Sequence, residues 1–242
     1  MAGMQILKFG ALMSAGVSLT IVIPCFNEEG AIPEILRQTS KLSEDGWCSF
    51  IIVDNGSTDN SQVLLRGFAH PKITVIRVDE NLGYGGGIFY GLGFASTPYV
   101  GWMHADLQTP ILELNKFKDH FEQYDFMKGI RIGRKGSDKI FSRSMSIFES
   151  LLFLRYMPEI NAQPTIFRKD LLNSWDRFPS DFSLDLFVFV SAKRSKFRIG
   201  RILVPFYPRK FGDSSWNHGF KSRMKFIIRT LRYSIKLRVS LK

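Results

Sequence analysis

The order of short apolar segments and helical segments constrains the fold of this chain more than any other feature. Four segments rich in Val, Ile and aromatic residues predict buried strands, at residues 17–23, 49–54, 73–78 and 99–103. The segments between them have helical spacing or begin with the turn residues that precede a helix. This alternation predicts an α/β fold with a Rossmann-like, mostly parallel central sheet and helices on both faces.

Acidic and amide side chains recur in the loops that directly follow these strands. The four loops are residues 24–29, 54–57, 79–83 and 104–108. Ligands of such sheets bind beyond the carboxyl ends of the strands, where consecutive loops meet. Acids that only keep a protein soluble are expected to scatter over helix surfaces. The clustering therefore predicts one functional site at this edge of the sheet.

The loop after the fourth strand carries three polar side chains, His104, Asp106 and Gln108, at alternate positions. Alternate residues of an extended chain point to the same side, so the three can converge on one point. Carboxylate and amide oxygens are ligands of hard divalent cations, and such an ion stabilises a departing diphosphate. The alternative is that Asp106 caps the following helix and that His104 is a buried histidine satisfied by its neighbours.

A dinucleotide-binding domain is the main rival among proteins with this sheet. Its first strand leads directly into G-x-G-x-x-G, which leaves room for a pyrophosphate. Here the first turn has no glycine and carries Glu28 and Glu29, whose charges repel phosphate. The glycine run at residues 83–87 follows the third strand, and Ile88 stands where the third glycine is required. A sugar nucleotidyltransferase is also disfavoured, because its glycine-rich signature after the first strand is missing.

The composition of the chain limits the classes of substrate and partner that it is expected to bind. The chain of 242 residues is long enough for one large α/β domain, and its net charge of +11 favours phosphorylated substrates, an anionic membrane or nucleic acid. No zinc, RNP or helix-turn-helix signature accompanies the charge, which argues against nucleic acid. Two isolated cysteines fit a reducing cytoplasm. No apolar run reaches the roughly 20 residues that span a bilayer. Residues 1–16 are interpreted as a loose leader.

The last segment, residues 216–242, predicts a basic amphipathic helix. Residues 214–242 contain eight Lys or Arg and no Asp or Glu. Apolar residues recur at helical spacing from Phe220 to Ile235, and such a helix lies naturally in an anionic membrane interface. The alternative is a helix packed on the domain with a solvated basic face. Beyond Ile235 the apolar residues alternate, which predicts that the helix ends early.

Three motifs together carry a family resemblance: residues 23–29, 53–59 and 104–108. In order and spacing they resemble family 2 glycosyltransferases, most of all the dolichol- or polyprenyl-phosphate mannosyltransferase branch, and the resemblance covers roughly residues 17–215. It implies a GT-A fold and an inverting transfer of a sugar from a UDP- or GDP-sugar to an acceptor. It also implies a divalent metal, Mn²⁺ or Mg²⁺. The sequence departs from the family pattern at Phe26, often Tyr, and at Asn55 and His104, where acids are usual.

The resemblance assigns roles to individual residues. Metal ligands are Asp106 and Gln108, with His104 as a further candidate. The residues expected to bind the nucleotide sugar are Pro24, Phe26, Asn27, Glu28, Val53, Asp54, Asn55, Ser57, Gly83, Asp106 and Gln108. Those expected near the acceptor are Arg131, Arg143, Asn161, Gln163 and Arg168. Residues 161–168 are expected to form an acceptor-side loop.

The catalytic candidates are Asp106, Asp185, Arg131 and Arg209. Arg131 ends a fifth predicted strand, residues 125–131, and Arg209 follows a strand-like run at 197–205. Asp185 stands near the start of a predicted helix, where it is either a helix cap or partner of the helix dipole, or the late acid of the family. That acid acts as a base or organises the acceptor loop.

The sequence leaves two kinds of acceptor open, a lipid phosphate and a saccharide hydroxyl. A polyprenyl phosphate is already an oxyanion near neutral pH, so it needs positive residues rather than a base. A saccharide hydroxyl needs a general base. The abundant basic residues and the membrane-like last helix favour a lipid phosphate at the inner, cytoplasmic face of a membrane. Extension of a saccharide, as in surface polysaccharide synthesis, and a non-enzymatic nucleotide- or RNA-binding module are the alternatives.

Overall fold

Seven strands form a single sheet in the computed structural model, which describes residues 19–134, 136–175, 177–212 and 220–241. The strands, in chain order, are β1 (Leu19–Cys25), β2 (Cys48–Asn55), β3 (Ile73–Val78), β4 (Tyr99–Trp102), β5 (Phe126–Ile132), β6 (Thr165–Arg168) and β7 (Ile199–Pro205). The α-helices are α1 (Ile32–Glu44), α2 (Ser61–Leu65), α3 (Gly83–Leu92), α4 (Gly136–Phe153), α5 (Ser183–Arg194) and α6 (Phe220–Ser240). Two 3₁₀ helices cover Ile111–His120 and Lys169–Ser174.

The sheet has the order β3-β2-β1-β4-β6-β5-β7, and only β6 runs against its neighbours. The pairs β1–β2, β1–β4, β2–β3 and β5–β7 are parallel. Because β6 is antiparallel to both β4 and β5, these two strands run in the same direction. The carboxyl ends of six strands therefore meet at one edge. This confirms the predicted α/β architecture and places the loops of both halves of the chain together.

The core lies on both faces of the sheet because successive strand residues point to opposite faces. In β1, Ile21 and Ile23 pack with Ile35 of α1, whereas Val22 packs on the other face with Leu92 of α3. All five side chains are buried. The β-branched residues that predicted the strand thus form two cores, one on each side of it.

Two elements of the second half differ from expectation. Residues 161–168 were predicted to be a loop, but Thr165–Arg168 form β6 in the middle of the sheet. Thr165, Ile166 and Phe167 are all buried, so this short strand has no alternation that marks it in the sequence. Helix α4 was not recognised from the sequence; exposed apolar residues such as Ile147 and Leu151 blur its periodicity.

The predicted last helix is present, but its early end is wrong. Helix α6 continues to Ser240 and contacts α4 and α5. It packs through the buried Ser234 and Leu237, while Ile228 and Ile235 remain exposed. None of the helices within the described residues has the length and apolar character that crossing a bilayer requires. The predicted leader, residues 1–16, lies outside the described residues.

Candidate active site

The loops after β1 and β2 are fastened to each other at the carboxyl edge of the sheet. Asn27 adopts a left-handed backbone conformation, with a φ of 55°, and its side-chain oxygen accepts a hydrogen bond of 2.8 Å from the backbone N–H of Thr58. In return the backbone N–H of Asn27 donates to Ser57 Oγ over 3.1 Å. Both predicted nucleotide-binding residues therefore set the shape of the loops. Pro24 and Phe26 flank Cys25, the last residue of β1, and the Phe26 ring is exposed.

The end of β2 is held by two polar side chains that are almost fully buried. Asp54 forms an ion pair with Arg77 of β3 and accepts a hydrogen bond from the backbone N–H of Ser57. The Asn55 amide donates to the carbonyl oxygen of Gly83 over 3.1 Å and accepts from the N–H of Leu82. An amide can donate and accept at once, which the acid usual at this position cannot do when ionised. Val53, one residue earlier, is a core residue.

The glycine run at residues 83–87 begins α3 and packs against the 179–181 loop. Gly85 and Gly86 donate their backbone N–H groups to the carbonyl oxygen of Ser180, over 2.8 and 3.2 Å. A Cβ at Gly85 would lie 2.3 Å from the carbonyl oxygen of Pro179. The glycines therefore allow a close backbone contact, and a carbonyl occupies the amino end of the helix where a dinucleotide fold binds pyrophosphate. This close contact accounts for the glycine run without a bound dinucleotide being needed to explain it.

Asp106 and Gln108 lie together after β4. One oxygen of Asp106 accepts the backbone N–H of Gln108 over 3.1 Å, and no side chain of the described residues caps the 3₁₀ helix that follows. Asp106 is therefore not a helix cap. The Gln108 side-chain amide donates to the carbonyl oxygen of Tyr207 over 3.0 Å. The backbone N–H of Tyr207 in turn donates to the carbonyl oxygen of Gln108 over 2.7 Å. The loop after β7 is thereby tied to the loop after β4.

His104 connects Asp106 to a buried polar network. Its Nδ1 lies 3.8 Å from Asp106 Oδ2, and its Nε2 lies 2.9 Å from the Tyr84 hydroxyl and 3.3 Å from the Gln163 amide nitrogen. The Tyr84 ring stacks on Phe182 at 4.4 Å between centroids. His104 is thus engaged on its Nε2 side by α3 and by the segment before β6.

Asp185 and Lys128 form a fully buried ion pair at the inner end of this network. Lys128 Nζ donates to Asp185 Oδ1 over 3.0 Å, and both side chains are at most 1% exposed. Asp185 also accepts from Tyr84 and Gln163, over 3.1 and 3.3 Å. Burial lowers the pKa of Lys128 to about 8, although the Asp185 carboxylate opposes that shift. Asp185, in the first turn of α5, is connected to the Asp106 loop through Tyr84 and His104.

Two arginines that the resemblance places near phosphate are paired with carboxylates. Arg209, after β7, forms an ion pair with Glu28. Arg131, at the end of β5, donates Nε–H to Glu159 over 2.8 Å, and Arg134 pairs with the other oxygen of Glu159. Burial raises the pKa of Glu28, and Asp106 adds to the rise, while Arg209 opposes it.

Not all of the other residues predicted to bind the acceptor lie at the carboxyl edge of the sheet. Arg168 ends the antiparallel β6 beside Tyr99 at the start of β4, so it lies at the opposite edge, where it pairs with Asp170. Arg143 is exposed on α4, and Asn161 is exposed in the loop before β6. Gln163 joins the His104 network, as described above.

Sequence reasoning missed three residues of this region: Tyr84, Arg134 and Glu159. The only signal for Tyr84 was its place inside the glycine run. Glu159 lies in an irregular loop far along the chain from Arg131, so only tertiary contact reveals the pair.

The donor groups fit a divalent metal shared with a substrate. Within the described residues, no three or more His, Cys, Asp or Glu side chains are grouped so that they could hold a metal ion. Asp106 offers one carboxylate, and Gln108 offers an amide oxygen beside it. Mg²⁺ and Mn²⁺ in nucleotide sites are held by one or two carboxylates and complete their shell with phosphate oxygens and water.

The fold and this edge define the class of protein. A mostly parallel sheet with an Asp-bearing loop after its fourth strand, and arginines delivered to the same edge by β5 and β7, is a GT-A nucleotide-sugar fold. The model of glycosyl transferase family 2 matches residues 20–189, and the chain belongs to this family.

Relatives and solved structures agree with this assignment. The undecaprenyl-phosphate 4-deoxy-4-formamido-L-arabinose transferases of Salmonella paratyphi B and Salmonella newport are each 26% identical over 210 aligned positions, and each match covers 82% of this chain and 62% of the relative. The chain thus spans about three fifths of the length of these relatives.

The fold is similar to that of glucosyl-3-phosphoglycerate synthase from Mycobacterium tuberculosis. The complex of that enzyme with Mn²⁺, UDP-glucose and phosphoglyceric acid gives a TM-score of 0.70 at 17% identity, covering 92% of this chain and 81% of the other. Its complex with Mg²⁺ and UDP gives 0.68 at 15% identity, covering 92% and 80%.

Proposed function

We propose that the chain is an inverting glycosyltransferase that moves a sugar from a nucleoside-diphosphate sugar to a polyprenyl phosphate at a membrane surface. The observation that carries this proposal is the contrast between its acid and its arginines. Asp185, the candidate base, is buried and paired with Lys128. Arg131, by contrast, is 13% exposed at the edge that carries Asp106. A phosphate acceptor needs the arginine and does not need the base.

The donor end is assigned to the loops after β1, β2 and β4. Pro24, Phe26 and Glu28, with Asn55 and Ser57, border the place of the nucleotide. Asn27, Val53, Asp54 and Gly83 support that place through the loop contacts and core packing described above.

Asp106, with Gln108, is the proposed ligand of a divalent metal, Mn²⁺ or Mg²⁺, which when bound neutralises the departing diphosphate. His104 is assigned a positioning role, because its Nε2 is engaged by Tyr84 while its Nδ1 faces Asp106. Arg209 is the proposed diphosphate ligand from the loop after β7. Since Arg209 is paired with Glu28 here, it must exchange partners to reach the diphosphate.

The acceptor end is assigned to the carboxyl end of β5. Arg131 positions the acceptor phosphate so that an oxygen attacks the anomeric carbon in line as the diphosphate departs. That oxygen is already deprotonated near neutral pH, so the reaction needs no general base. Asp185 is assigned the organisation of the network of Lys128, Tyr84 and Gln163 rather than contact with the acceptor.

Binding at the inner, cytoplasmic face of a membrane is part of the proposal. Its support is the lipid-phosphate acceptor named for the Salmonella relatives and the exposed side of α6. We also assign residues 17–215 to the catalytic domain and residues 216–242 to the membrane-binding segment.

A panel of UDP- and GDP-sugars tests the function, with divalent metal and either a polyprenyl phosphate or a saccharide as acceptor. With a polyprenyl phosphate as acceptor, we expect release of nucleoside diphosphate and formation of a glycosylated lipid phosphate. With a saccharide as acceptor, we expect neither. Asp185→Asn should keep most of the transfer to lipid phosphate. Transfer to a saccharide alone, with loss of turnover in an Asp185→Asn variant that remains folded by circular dichroism, would make Asp185 the base and contradict the proposal.

A further inference from the structure

The Glu159 carboxylate holds the two arginines at the end of β5. Arg131 Nε donates to Glu159 Oε2 over 2.8 Å, and Arg134 pairs with Glu159 Oε1. Arg134 also donates to Ser142 Oγ of α4 over 2.6 Å. One carboxylate therefore occupies the space between two guanidinium groups. Two oxygens presented to two arginines in this way imitate two oxygens of a phosphate.

The backbone of Glu159 is fixed in a position that aims this side chain. Its φ is 49°, a left-handed conformation that non-glycine residues rarely adopt. Its N–H donates to Ser146 Oγ over 3.3 Å, and its carbonyl oxygen accepts the N–H of Ala162 over 3.0 Å. Strained backbone of this kind persists where the surroundings hold it, and it concentrates at functional sites.

A third arginine, Arg201, lies on β7, the strand next to β5. All three guanidinium nitrogens of Arg201 are buried, and none has a hydrogen-bond partner among the described residues. Arg201 is paired in register with Lys128 across β5 and β7, and its guanidinium lies over the Phe189 ring at 5.5 Å. Burial lowers the pKa of Arg201 to about 10, and Glu159 is the main group that opposes the shift. A buried guanidinium group without hydrogen bonds is costly, so its presence calls for an explanation.

We propose that Glu159 is an internal counterion that occupies the place of the acceptor phosphate. The incoming phosphate displaces Glu159 from Arg131 and Arg134 and takes Arg201 as a further ligand. This inference rests on the proposed function, because it concerns the acceptor end of the same site. A phosphomonoester carries up to two charges and three terminal oxygens near neutral pH, so it can satisfy donors that one carboxylate leaves unmatched. Glu159 then sets the affinity for the acceptor, since the phosphate has to compete with it.

Binding of a short polyprenyl phosphate, farnesyl phosphate, tests the exchange in the absence of donor. Glu159→Gln keeps the shape of the side chain and removes the competing charge. We expect it to tighten binding of farnesyl phosphate about tenfold, the scale of a charge-assisted contact. Binding of uncharged farnesol should not change. The matched control is Glu34→Gln, which removes a carboxylate from an ion pair with Arg37 on α1. Unchanged or weaker binding of farnesyl phosphate by Glu159→Gln would overturn the inference.

Arg201→Met separates ligand binding from structure. A methionine fills a similar volume without a buried charge, so the variant should have a higher melting temperature than the wild type. The same variant should bind farnesyl phosphate about tenfold more weakly. An arginine with only a structural role would give a lower melting temperature and unchanged binding, and that result would remove Arg201 from the site.

The outcomes distinguish this inference from the proposed function. Transfer of sugar to polyprenyl phosphate by the wild type, with no tighter binding in Glu159→Gln, would support the function and refute the counterion. Tighter binding in Glu159→Gln without any transfer by the wild type would support the counterion and refute the activity.

Discussion

Asp106 remains ionised although it is largely buried. Burial by itself would raise the pKa of Asp106, but contact with His104, the backbone N–H of Gln108 and the charge of Arg209 outweigh it, so the pKa lies below its ordinary value. A carboxylate kept charged in a protected place is suited to bind a cation.

Asp106→Asn should therefore lower kcat at least about 100-fold, the size of effect seen when an electrostatic contact to the transition state is lost. Wild-type activity should vanish with EDTA and return with Mn²⁺ or Mg²⁺. The matched control is Asp45→Asn, which changes an exposed acid directly after α1. Full wild-type activity in EDTA would contradict the role of the metal.

The Lys128–Asp185 pair is expected to matter most for stability. Lys128→Met leaves the Asp185 carboxylate buried without its cation and should reduce the free energy of unfolding by about 3–5 kcal/mol. Lys128→Met combined with Asp185→Leu should recover much of that loss. Urea unfolding of the two single variants and the double variant measures the coupling. Additive losses would show that the two groups are not coupled.

At the scale of elements, the contact between α4 and α6 contains a buried acid. Ser234 Oγ of α6 donates to Glu149 Oε1 of α4 over 2.5 Å, and Glu149 is 1% exposed. Burial raises the pKa of Glu149 to about 7, although the hydrogen bond from Ser234 opposes the rise. The protonated acid therefore favours the docked helix.

This pair predicts how stability depends on pH. Because the pKa of Glu149 is higher in the folded protein than in the unfolded chain, its contribution is complete below about pH 4.5 and is lost as the pH rises through about 7. The total change is at most about 3 kcal/mol. Glu149→Gln should remove this part of the pH dependence and should be more stable than the wild type at pH 8. The check is urea unfolding between pH 5 and 8; identical pH profiles would contradict the assignment.

At the scale of the whole molecule, one side of α6 packs on the protein and the other side is exposed. Its exposed residues include apolar and basic side chains one or two turns apart: Met224, Ile228, Arg232, Ile235, Lys236 and Val239. The packed side uses Ser234 and Leu237 instead. A helix that keeps apolar residues exposed between basic ones fits an anionic interface.

Changing Arg232 and Lys236 to Gln tests this surface without disturbing the packed side. Each basic residue near an anionic leaflet contributes about 1 kcal/mol, so binding to phosphatidylserine vesicles should weaken about 30-fold. Wild-type binding should also fall as salt is raised. Sedimentation with vesicles measures both effects, and vesicles of neutral lipid are the control. Undiminished binding by the double variant would exclude these residues as the anchor.

The sequence alone determined the first half of the sheet and the edge at which its polar loops meet. Strand composition and the loops at the strand ends are local properties, and parallel βαβ units bring such loops to one edge for general reasons. The strand predicted at residues 73–78 has the same bounds in the structure, and Asp106 and Gln108 lie where the pattern placed them.

Only the tertiary structure decided the second half and the pairing of its charges. The direction of β6 takes Arg168 to the far edge, and a four-residue strand buried on both faces leaves no periodic mark in the sequence. Glu159 meets Arg131 from 28 positions away, and Asp185 meets Lys128 from 57 positions away. Such contacts depend on how distant segments pack, because burial and charge pairing are properties of the assembled chain and not of its local pattern.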